Sequence, residues 1–585
     1  MLYEEIVEIY DKIARTMKRL EMTDHLVELF SKVDPEEIGK VVYLTQGKVY
    51  PDFIPIELGI AEKMVIKAIA STSGLGDNEI DRLWKEKGDM GHVAEEAMGR
   101  KTQTTLLGMT ELSVEKVYEN LEKIAKASGP RSQDIKMRYF SDLLHNSKPV
   151  EAKYITRSVM GKMRLGVADM TLIDALAIAF AEKGERDEIE RAYNVCSDLG
   201  MVAETLAREG LDEVKKIHLK VGVPIRAMLA ERLPTLEAIL EKTGGKAAFE
   251  FKYDGLRLQA HINSDKVELF SRRLENMTDQ FPEFKTELKN VFQGKEAIIE
   301  GECVPIDVNT GAFLPFQIVS HRRGRKYGLR EAQEDYPVHL VLFDCLYLDG
   351  EDLTNEPYEK RRERLKKAIK PSDTVMFSEV VVTDNPEDAE RFFLQSIEDG
   401  SEGLIAKSLS SVYVAGSRGW NWIKYKKDYQ SEMSDTVDLV VVGAFAGRGR
   451  RAGTYGALLM ASYDEDEDRY KTFCKLGSGF DDEMLLELPT RLDEHKLEKV
   501  HEKVDSKMKA DFWFEPAVVL EVLGAEITIS PSHTAALDSK KKGAGLAIRF
   551  PRFTGRWRDD KGPLEATTVK ELAGMYESQL KRLDQ

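Results

Sequence analysis

The stretch "FEFKYDGLRLQAH", residues 249–261, decides the fold because it sets a lysine inside an otherwise regular strand pattern. Phe249, Phe251 and Tyr253 alternate with charged residues, and this period of two predicts a β-strand with Lys252 on one face. A solvated edge strand would produce the same pattern. The rest of the chain is therefore needed to decide whether the lysine has a chemical role.

The length and composition of the chain limit what it can be. With 585 residues the chain is too long for one hydrophobic core, so several domains are expected. The hydrophobic fraction of 42% is ordinary for a globular protein, and no apolar run approaches the ~20 residues needed to cross a bilayer. The N-terminus is amphipathic and acidic, unlike a signal peptide. We therefore expect a cytoplasmic monomer with no membrane partner.

The cysteines and the charge distribution narrow the class of protein further. The four cysteines are far apart and form no CxxC pair, which favours buried free thiols over a zinc site. A net charge of −17 argues against nucleic-acid binding over the whole surface. Three segments of this acidic chain are nevertheless basic, at 321–330, 447–451 and 539–561. Basic segments on an acidic chain favour directed docking of a polyanion, although each alone is equally typical of a solvated loop.

The periodicity of the sequence divides the chain into three parts. Residues 1–215 show apolar positions at three- and four-residue steps, as in Ile6 and Ile9, and predict an all-α domain. Residues 216–430 alternate strand-like and helical runs and predict an α+β domain. Residues 431–585 contain short apolar strands with Gly-rich turns and predict a small β-barrel.

Charged residues inside or beside apolar strands recur through the middle part. Such charges are unusual unless they are paired, so several strands of this kind predict one concave site. The mixture of cations and carboxylates matches a polyphosphate with a divalent metal, although the sequence contains neither a Walker A nor a Rossmann glycine pattern. A lysine among other cations can lose its proton and attack phosphorus, which is the role predicted for Lys252. The other residues concerned are Arg272, Glu300, Glu302, Phe343, Asp344, Glu402, Lys407, Lys424 and Lys426.

Several segments resemble one enzyme family. KYDGLR at 252–257 resembles the motif K-x-D-G-x-R of covalent nucleotidyltransferases, which include DNA ligases, RNA ligases and capping enzymes. RFPRFTGRWRDDK at 549–561 resembles the last motif of ATP-dependent DNA ligases, which an OB-fold domain carries. GVPIRAMLAERL at 222–233 and RSVMGKMRLGVADMTLIDALA at 157–177 resemble the lead-in and the DNA-binding domain of archaeal and eukaryotic replicative ligases. The resemblance implies a helical DNA-binding domain, an adenylation domain and an OB-fold domain, in that order.

The resemblance also implies an activity. The enzyme would seal nicks in duplex DNA, joining a 3′-hydroxyl to a 5′-phosphate in replication, repair and recombination. Lys252 would take AMP from ATP and pass it to the 5′-phosphate, after which the 3′-hydroxyl would displace it. Mg²⁺, or Mn²⁺ in its place, would absorb charge at the reacting phosphate.

Individual side chains acquire roles from the same resemblance. Glu250 would read the adenine and Phe343 would stack on it, although Phe343 is equally typical of core packing. Glu302 would hold the ribose and help to place the metal, with Glu402 as a second metal carboxylate, whereas Glu300 stays without a role. Lys407 is open to interpretation as the partner of a buried ion pair. The implied phosphate contacts are Arg257 and Arg272 to AMP or the DNA 5′-phosphate, Arg418, Lys424 and Lys426 to the reacting phosphate, and Arg552 and Lys561 to the leaving pyrophosphate.

Three alternatives stay open at this point. An NAD-dependent ligase shares the lysine chemistry but usually carries a four-cysteine zinc module, which scattered cysteines cannot form. An RNA ligase or capping enzyme would not need a helical domain of this length. A non-catalytic nucleic-acid clamp would leave Lys252 and the carboxylates in apolar strands without an explanation.

The implied DNA contacts are mostly to phosphates, because a ligase must seal any sequence. The OB-fold domain cannot present Arg552 and Lys561 to ATP and also bind the nick with the same face. Open and closed arrangements are therefore expected, with a hinge at 427–436.

One further segment, KTQTTLL at 101–107, is similar to a shortened sliding-clamp-binding motif. A plain loop beside a helix would show the same letters, so this partner is the weaker interpretation. The residues of the motif are Gln103, Leu106 and Leu107.

Overall fold

The computed structural model forms two compact units, Met1–Lys426 and Lys427–Gln585. Most of the basic segments 321–330 and 447–451 and of the expected hinge lies outside the described residues, and so do Gln103, Leu106 and Leu107. No helix in the described part of the chain has both the length and the apolar character to cross a membrane. The described residues are 1–583 without 57, 102–109, 183, 307–312, 314–315, 317–318, 320–321, 323–330, 332, 334–335, 399–400, 427–434, 448–453, 525, 531, 541 and 550.

Helices form the N-terminal part of the first unit, which confirms the predicted helical region. Side-chain caps begin several of them: Asp89 accepts from the N–H of Gly91 at 2.8 Å and Ser113 from that of Lys116 at 3.1 Å. Their apolar faces meet in one continuous core. The helices are α1 (Tyr3–Ala14), α2 (Arg19–Phe30), α3 (Ile38–Gln46), α4 (Glu62–Ser73), α5 (Asp77–Lys87), α6 (Met90–Gly99), α7 (Val114–Lys126), α8 (Ser132–Asn146), α9 (Pro149–Val159), α10 (Asp169–Phe180), α11 (Arg186–Cys196), α12 (Leu199–Glu209) and α13 (Leu211–Lys215).

Two β-sheets follow in the first unit. Their strands are β1 (Leu229–Arg232), β2 (Ala247–Phe251), β3 (Leu256–Ile262), β4 (Val267–Ser271), β5 (Ala297–Pro305), β6 (Val338–Leu348), β7 (Glu351–Asp352), β8 (Val375–Phe377), β9 (Val380–Thr383), β10 (Gly403–Ser408) and β11 (Arg418–Lys426). One sheet has the order β1-β11-β10-β2-β9, and the other has the order β4-β3-β5-β6-β7 with β8 beside β6. The helices between these strands are α14 (Leu236–Lys242), α15 (Pro282–Val291), α16 (Tyr358–Ala368) and α17 (Pro386–Glu398).

The chain passes from the first sheet to the second between β2 and β3. Lys252 directly follows β2, and Leu256 begins β3. Gly255 lies against β5, because a Cβ at this position would be 2.5 Å from the carbonyl oxygen of Cys303. Only glycine allows so close an approach without moving the strand. Lys252 is therefore placed at the junction of the two sheets.

The second unit is built mainly of strands, which confirms the predicted C-terminal β domain. The described strands leave its main sheet open, so the closed barrel of an OB-fold stays a prediction, as do the domain boundaries after residues 215 and 430. Its strands are β12 (Val437–Ala446), β13 (Tyr455–Asp464), β14 (Arg469–Leu476), β15 (Lys496–Leu497), β16 (Val504–Asp505), β17 (Phe512–Phe514), β18 (Val519–Leu523), β19 (Glu526–Ser530), β20 (Gly545–Arg549) and β21 (Arg552–Trp557). Its helices are α18 (Asp482–Leu492) and α19 (Val569–Leu583).

Candidate active site

The backbone holds Lys252 against the start of β10. Its N–H donates to the carbonyl of Gly403 at 2.8 Å, and its carbonyl accepts from the N–H of Glu402 at 2.8 Å. Gly403 has a φ of 139°, and a Cβ there would lie 2.2 Å from the carbonyl oxygen of Tyr425. The approach therefore requires glycine, and it fixes the position of the predicted nucleophile.

The side chain of Lys252 forms an ion pair with Oε2 of Glu402. The same oxygen lies 2.9 Å from the Nζ of Lys426. Although burial opposes the charged form, the two ammonium groups lower the pKa of Glu402 to about 2. Glu402 is therefore a carboxylate at neutral pH, and it joins two other predicted site residues, Lys252 and Lys426.

The second sheet contributes Glu302, which lies opposite Arg257 in the ladder between β5 and β3. Burial raises the pKa of Glu302 to about 7, against the opposing effect of the charges on Lys252 and Arg257. Arg257 itself is engaged elsewhere: its Nη2 lies 2.7 Å from Glu300, and its Nη1 donates to the carbonyl of Met228 at 2.8 Å. Glu300 thus acquires a structural role, while the contact of Arg257 with AMP or DNA stays a prediction.

Glu250, the predicted adenine reader, is buried among three donors. Its Oε1 accepts from the hydroxyl of Tyr358 and from Nη1 of Arg362 at 2.8 Å, and its Oε2 lies 2.9 Å from Nζ of Lys407. The ring of Phe343 lies beside this group, with its centroid 4.7 Å from the same Nζ. The structure therefore brings Glu250 and Phe343 together and makes Lys407 an ion-pair partner.

Sequence reasoning gave no role in the site to the helix residues that supply two of these donors. Tyr358 and Arg362 lie on α16, and the neighbouring Arg361 forms a fully buried pair with Asp344 at 2.8 and 2.9 Å. Arg361 also donates to the carbonyl of Ser411 at 2.9 Å. Because Asp344 directly follows Phe343 on β6, this pair fixes the strand that carries the predicted stacking ring.

Four cations near the site have no carboxylate partner among the described residues. They are Arg272, Arg273, Arg418 and Lys424. Burial and the nearby charges of Arg418, Lys426 and Lys252 lower the pKa of Lys424, and burial with Arg257 and Arg418 lowers that of Arg272. Mutual repulsion of this kind is relieved by a bound anion, which agrees with the predicted phosphate contacts.

The turn after β4 presents two of these arginines. The hydroxyl of Ser271 accepts from the N–H groups of Arg273 at 3.3 Å and Glu275 at 3.2 Å, which closes the turn. Arg272 and Arg273 line a cavity of about 960 Å³ within the first unit, and its lining also includes Tyr50 from the helical region. The cavity joins the helical region to the catalytic sheets.

Some cations of the basic segments form ion pairs with acidic residues, so fewer of them are available to a polyanion than the sequence predicts. Arg322, the one described basic residue of the segment 321–330, is buried and lies 2.6 Å from Glu283. Lys540 in the third segment lies 2.6 Å from Glu577. These contacts show that neighbouring acids neutralise part of the basic segments.

In the second unit, Lys561 lies 2.7 Å from Oδ2 of Asp438, and Nη1 of Arg558 lies 2.5 Å from the same oxygen. Arg558 also forms a pair with Asp560 at 2.9 Å, while Arg552 is exposed at the start of β21. Sequence reasoning missed Asp438 and Arg558. The sequence did contain one signal for Asp438, because it is an acidic residue at the second position of the otherwise apolar strand β12, where a charge needs a partner.

The residues present are compatible with a Mg²⁺ ion that is held partly by substrate. No group of three or more His, Cys, Asp or Glu side chains in the described part of the chain is arranged to hold a metal. Mg²⁺ is commonly bound by one or two carboxylates together with substrate phosphates. Glu302 and Glu402 supply that number of carboxylates beside the unpaired cations.

Comparison with known proteins agrees with this arrangement. The models for the DNA ligase N terminus, the ATP dependent DNA ligase domain and the ATP dependent DNA ligase C terminal region match residues 2–177, 227–426 and 451–561. DNA ligase 2 of Thermofilum pendens is 51% identical over 99% of this chain and 98% of its own length. The DNA ligase of Nitrosopumilus maritimus is 47% identical over 99% of both chains.

A solved structure, Pmar-Lig_Pre, covers 95% of this chain and 99% of its own, with a TM-score of 0.55 at 17% identity. That likeness shows a shared fold alone. The family models and relatives extend over the helical, central and C-terminal parts, and they set aside the NAD-dependent, RNA-joining and non-catalytic alternatives. The chain belongs to the ATP-dependent DNA ligase family, whose known activity is the sealing of nicks in DNA.

Proposed function

We propose that this ligase seals nicks through a covalent AMP on Nζ of Lys252. One observation carries the assignment: Lys252 lies at the junction of two sheets, paired with Glu402 and close to the unpaired cations of β11. A lysine serving only as a surface charge would not need the glycine contact that fixes its backbone. Its surroundings instead match a site that holds a nucleoside triphosphate.

Three transfers at phosphorus make up the reaction. In the first, the neutral Nζ attacks the α-phosphorus of ATP, a P–N bond forms, and the bond to the β-phosphate breaks as pyrophosphate leaves. In the second, a 5′-phosphate oxygen of the nick attacks the same phosphorus and the P–N bond breaks. In the third, the 3′-hydroxyl oxygen attacks the DNA phosphorus and AMP leaves.

Nζ of Lys252 must release a proton to solvent before the first transfer, because an ammonium group has no lone pair to attack with, and its ion pair with Glu402 must open as it does so. Triphosphate binding favours this opening, since its oxygens compete with Glu402 for the ammonium groups of Lys252 and Lys426. Glu302 and Glu402 would hold Mg²⁺, or Mn²⁺ in its place. A bound ion supplies positive charge at the reacting phosphate.

The adenine is expected to bind at the other end of the site. Glu250 would accept from its amino group, and Phe343 would stack on its ring, as the resemblance implies. The burial of Glu250 supports this role, because a carboxylate in a dry pocket discriminates strongly between donors and acceptors.

Nicked duplex DNA is expected to contact the cavity beside Arg272 and Arg273. The helical wall of this cavity and the unpaired arginines together suit a phosphate backbone, and they require no particular base sequence. Arg257 would join them if its pair with Glu300 opens. These contacts are sequence-independent, as sealing any nick requires.

The second unit is proposed to be an OB-fold that supplies Arg552 and Lys561 to the leaving pyrophosphate. Its antiparallel pairing of β12 with β13 and β18 supports an OB-fold, although the described sheet is open. The role of these cations would be confined to the first transfer, after which the unit turns another face to the nick.

Two further proposals depend on the sequence alone. The first is binding of a sliding clamp through Gln103, Leu106 and Leu107, which a pull-down with a triple alanine variant would test. The second is that the enzyme is a cytoplasmic monomer, which light scattering and cell fractionation would test.

The adduct of AMP with the enzyme tests the central proposal. The protein is incubated with Mg²⁺ and ATP labelled on the α-phosphate, and we expect an acid-labile, alkali-stable adduct that peptide mapping places on Lys252. Lys252→Ala should abolish it while duplex binding stays within a few-fold. Lys246→Ala is the matched control, because Lys246 is an exposed lysine just before β2. A label on another side chain, or an intact adduct in Lys252→Ala, contradicts the proposal.

A further inference from the structure

Lys407 is a fully buried cation on β10, and its placement is unusual for a lysine. Its exposure is 1%, and it lies two positions along β10 from Ile405, the residue that pairs with Glu250 of the neighbouring strand β2. Its Nζ is 2.9 Å from Oε2 of Glu250 and donates to the carbonyl of Phe343 at 3.4 Å. Lysines are almost never buried this far without a specific partner, so the pair with Glu250 stabilises both charges.

Three aromatic rings surround the ammonium group of Lys407. Their centroids lie 4.7 Å (Phe343), 4.9 Å (Tyr358) and 4.5 Å (Trp422) from Nζ. Rings at these distances attract a cation through their negative faces and exclude water from it. The lysine is thus held in one position, directly beside the predicted stacking ring.

The two oxygens of Glu250 are held unequally. Oε1 receives two donors, the hydroxyl of Tyr358 and Nη1 of Arg362 at 2.8 Å. Oε2 has Lys407 as its single hydrogen-bonding or ionic partner among the described residues. The last torsion of a glutamate side chain is soft, so a carboxylate anchored at one oxygen can still rotate about that anchor. Lys407 is therefore the group that fixes the plane of the carboxylate.

We infer that Lys407 is a positioning residue for base selection, orienting Glu250 so that its carboxylate accepts from the 6-amino group of adenine. The inference rests on the proposed contact between Glu250 and the base. A carboxylate can accept but not donate, so it favours an amino group and repels the 6-oxo group of guanine. That discrimination requires a fixed carboxylate, because a mobile one could turn away from the oxo group at little cost.

Self-adenylation with labelled ATP and labelled GTP tests the inference. In Lys407→Met we expect the KM for ATP to rise about tenfold, equivalent to about 1.4 kcal/mol, with kcat within twofold of the original enzyme. The preference for ATP over GTP should fall by a similar factor. Lys360→Met is the matched control, because Lys360 is an exposed lysine on α16 that pairs with Glu356 and does not contact Glu250 among the described contacts, and its preference should change less than twofold.

The outcomes below distinguish a failure of the inference about Lys407 from a failure of the proposed contact between Glu250 and the base. A folded Lys407→Met enzyme with an unchanged preference for ATP overturns the inference, as does an equal effect of Lys360→Met. Should Lys407→Met not fold, Lys407→Gln replaces it, and the same expectations and refutations apply to its preference. Glu250→Gln isolates the underlying proposal: an unchanged preference there, with the adduct still on Lys252, shows that Glu250 does not read the base.

Discussion

Asp438→Asn in the second unit should separate the first transfer from the later ones. Asp438 is 7% exposed, and one of its oxygens accepts from both Lys561 and Arg558. Two donors at 2.7 and 2.5 Å from one oxygen lie within about 5 Å of each other. A single carboxylate charge thus holds two cations at a spacing that suits two oxygens of a pyrophosphate.

The expected size of the effect follows from the contacts that are lost. A hydrogen bond between charged groups contributes about 1.5–3 kcal/mol. Arg558 keeps its pair with Asp560 in the variant, whereas Lys561 has no second partner in the described part of the second unit. Lys561 is also partly exposed, which favours the low end of that range. About 1.5 kcal/mol corresponds to roughly a tenfold slower first transfer.

Two single-turnover assays measure the separation. One follows the labelled adduct formed from ATP, and the other follows sealing of a nick that already carries AMP on its 5′-phosphate. We expect the first to slow about tenfold and the second to stay within twofold. Asp559→Asn is the control, because Asp559 pairs with Arg491 at an exposed position. Equal slowing in both assays, or slowing in neither, would refute a role of Asp438 in holding Lys561 for pyrophosphate release.

Three further predictions follow from the first unit. Arg361→Met should lower the free energy of unfolding by about 3–5 kcal/mol, because it leaves the buried carboxylate of Asp344 unpaired. Arg364→Met breaks only the exposed pair with Glu351, so it should lower that free energy by at most about 1 kcal/mol. Thermal melting measures both changes. Glu402 has a folded pKa of about 2, below its ordinary 4.5, so its stabilisation of roughly 3 kcal/mol is complete above pH 4.5 and is lost as the pH falls through 2. Urea midpoints of Glu402→Gln should therefore fall less than those of the original protein between pH 5 and 2. Replacing Arg272 and Arg418 together by alanine should reduce the slope of log affinity for nicked DNA against log salt by about 2, and an unchanged slope would contradict their contact with phosphates.

The features that were predictable from the sequence are those that depend on the spacing of residues close together in the chain. Apolar residues at helical spacing identified the N-terminal region, and alternation around Lys252 identified the strand that ends at the sheet junction. Charged residues at the ends of apolar strands identified Glu402 and Lys426, because a charge there has few explanations other than a partner or a ligand. These predictions agree with the structure because each depends only on a few residues that are neighbours in the chain.

The partners of the charges were not predictable in the same way. The segment that forms α16 reads as a strongly basic surface helix, yet Arg361 and Arg362 are among its buried residues. Their partners lie 17 residues away in Asp344 and 112 residues away in Glu250. Asp438 and Lys561 are likewise 123 residues apart. No local pattern specifies which of many acids a given cation will meet.

The pairing of charges also divides the cations of this enzyme into two functional classes. Paired side chains are not free to attract a distant polyanion, because a nearby carboxylate already cancels their field. Substrate phosphates must either displace that carboxylate or bind beside it, so these cations act once the substrate is in place, and their loss should appear in the rate of a chemical step. Arg272, Arg418 and Lys424 have no such partner in the described residues, so their field reaches solvent and their loss should appear in affinity and its salt dependence. The charge pairs of the site are Lys252 with Glu402, Lys426 with Glu402, Arg257 with Glu300, Lys407 with Glu250 and Lys561 with Asp438.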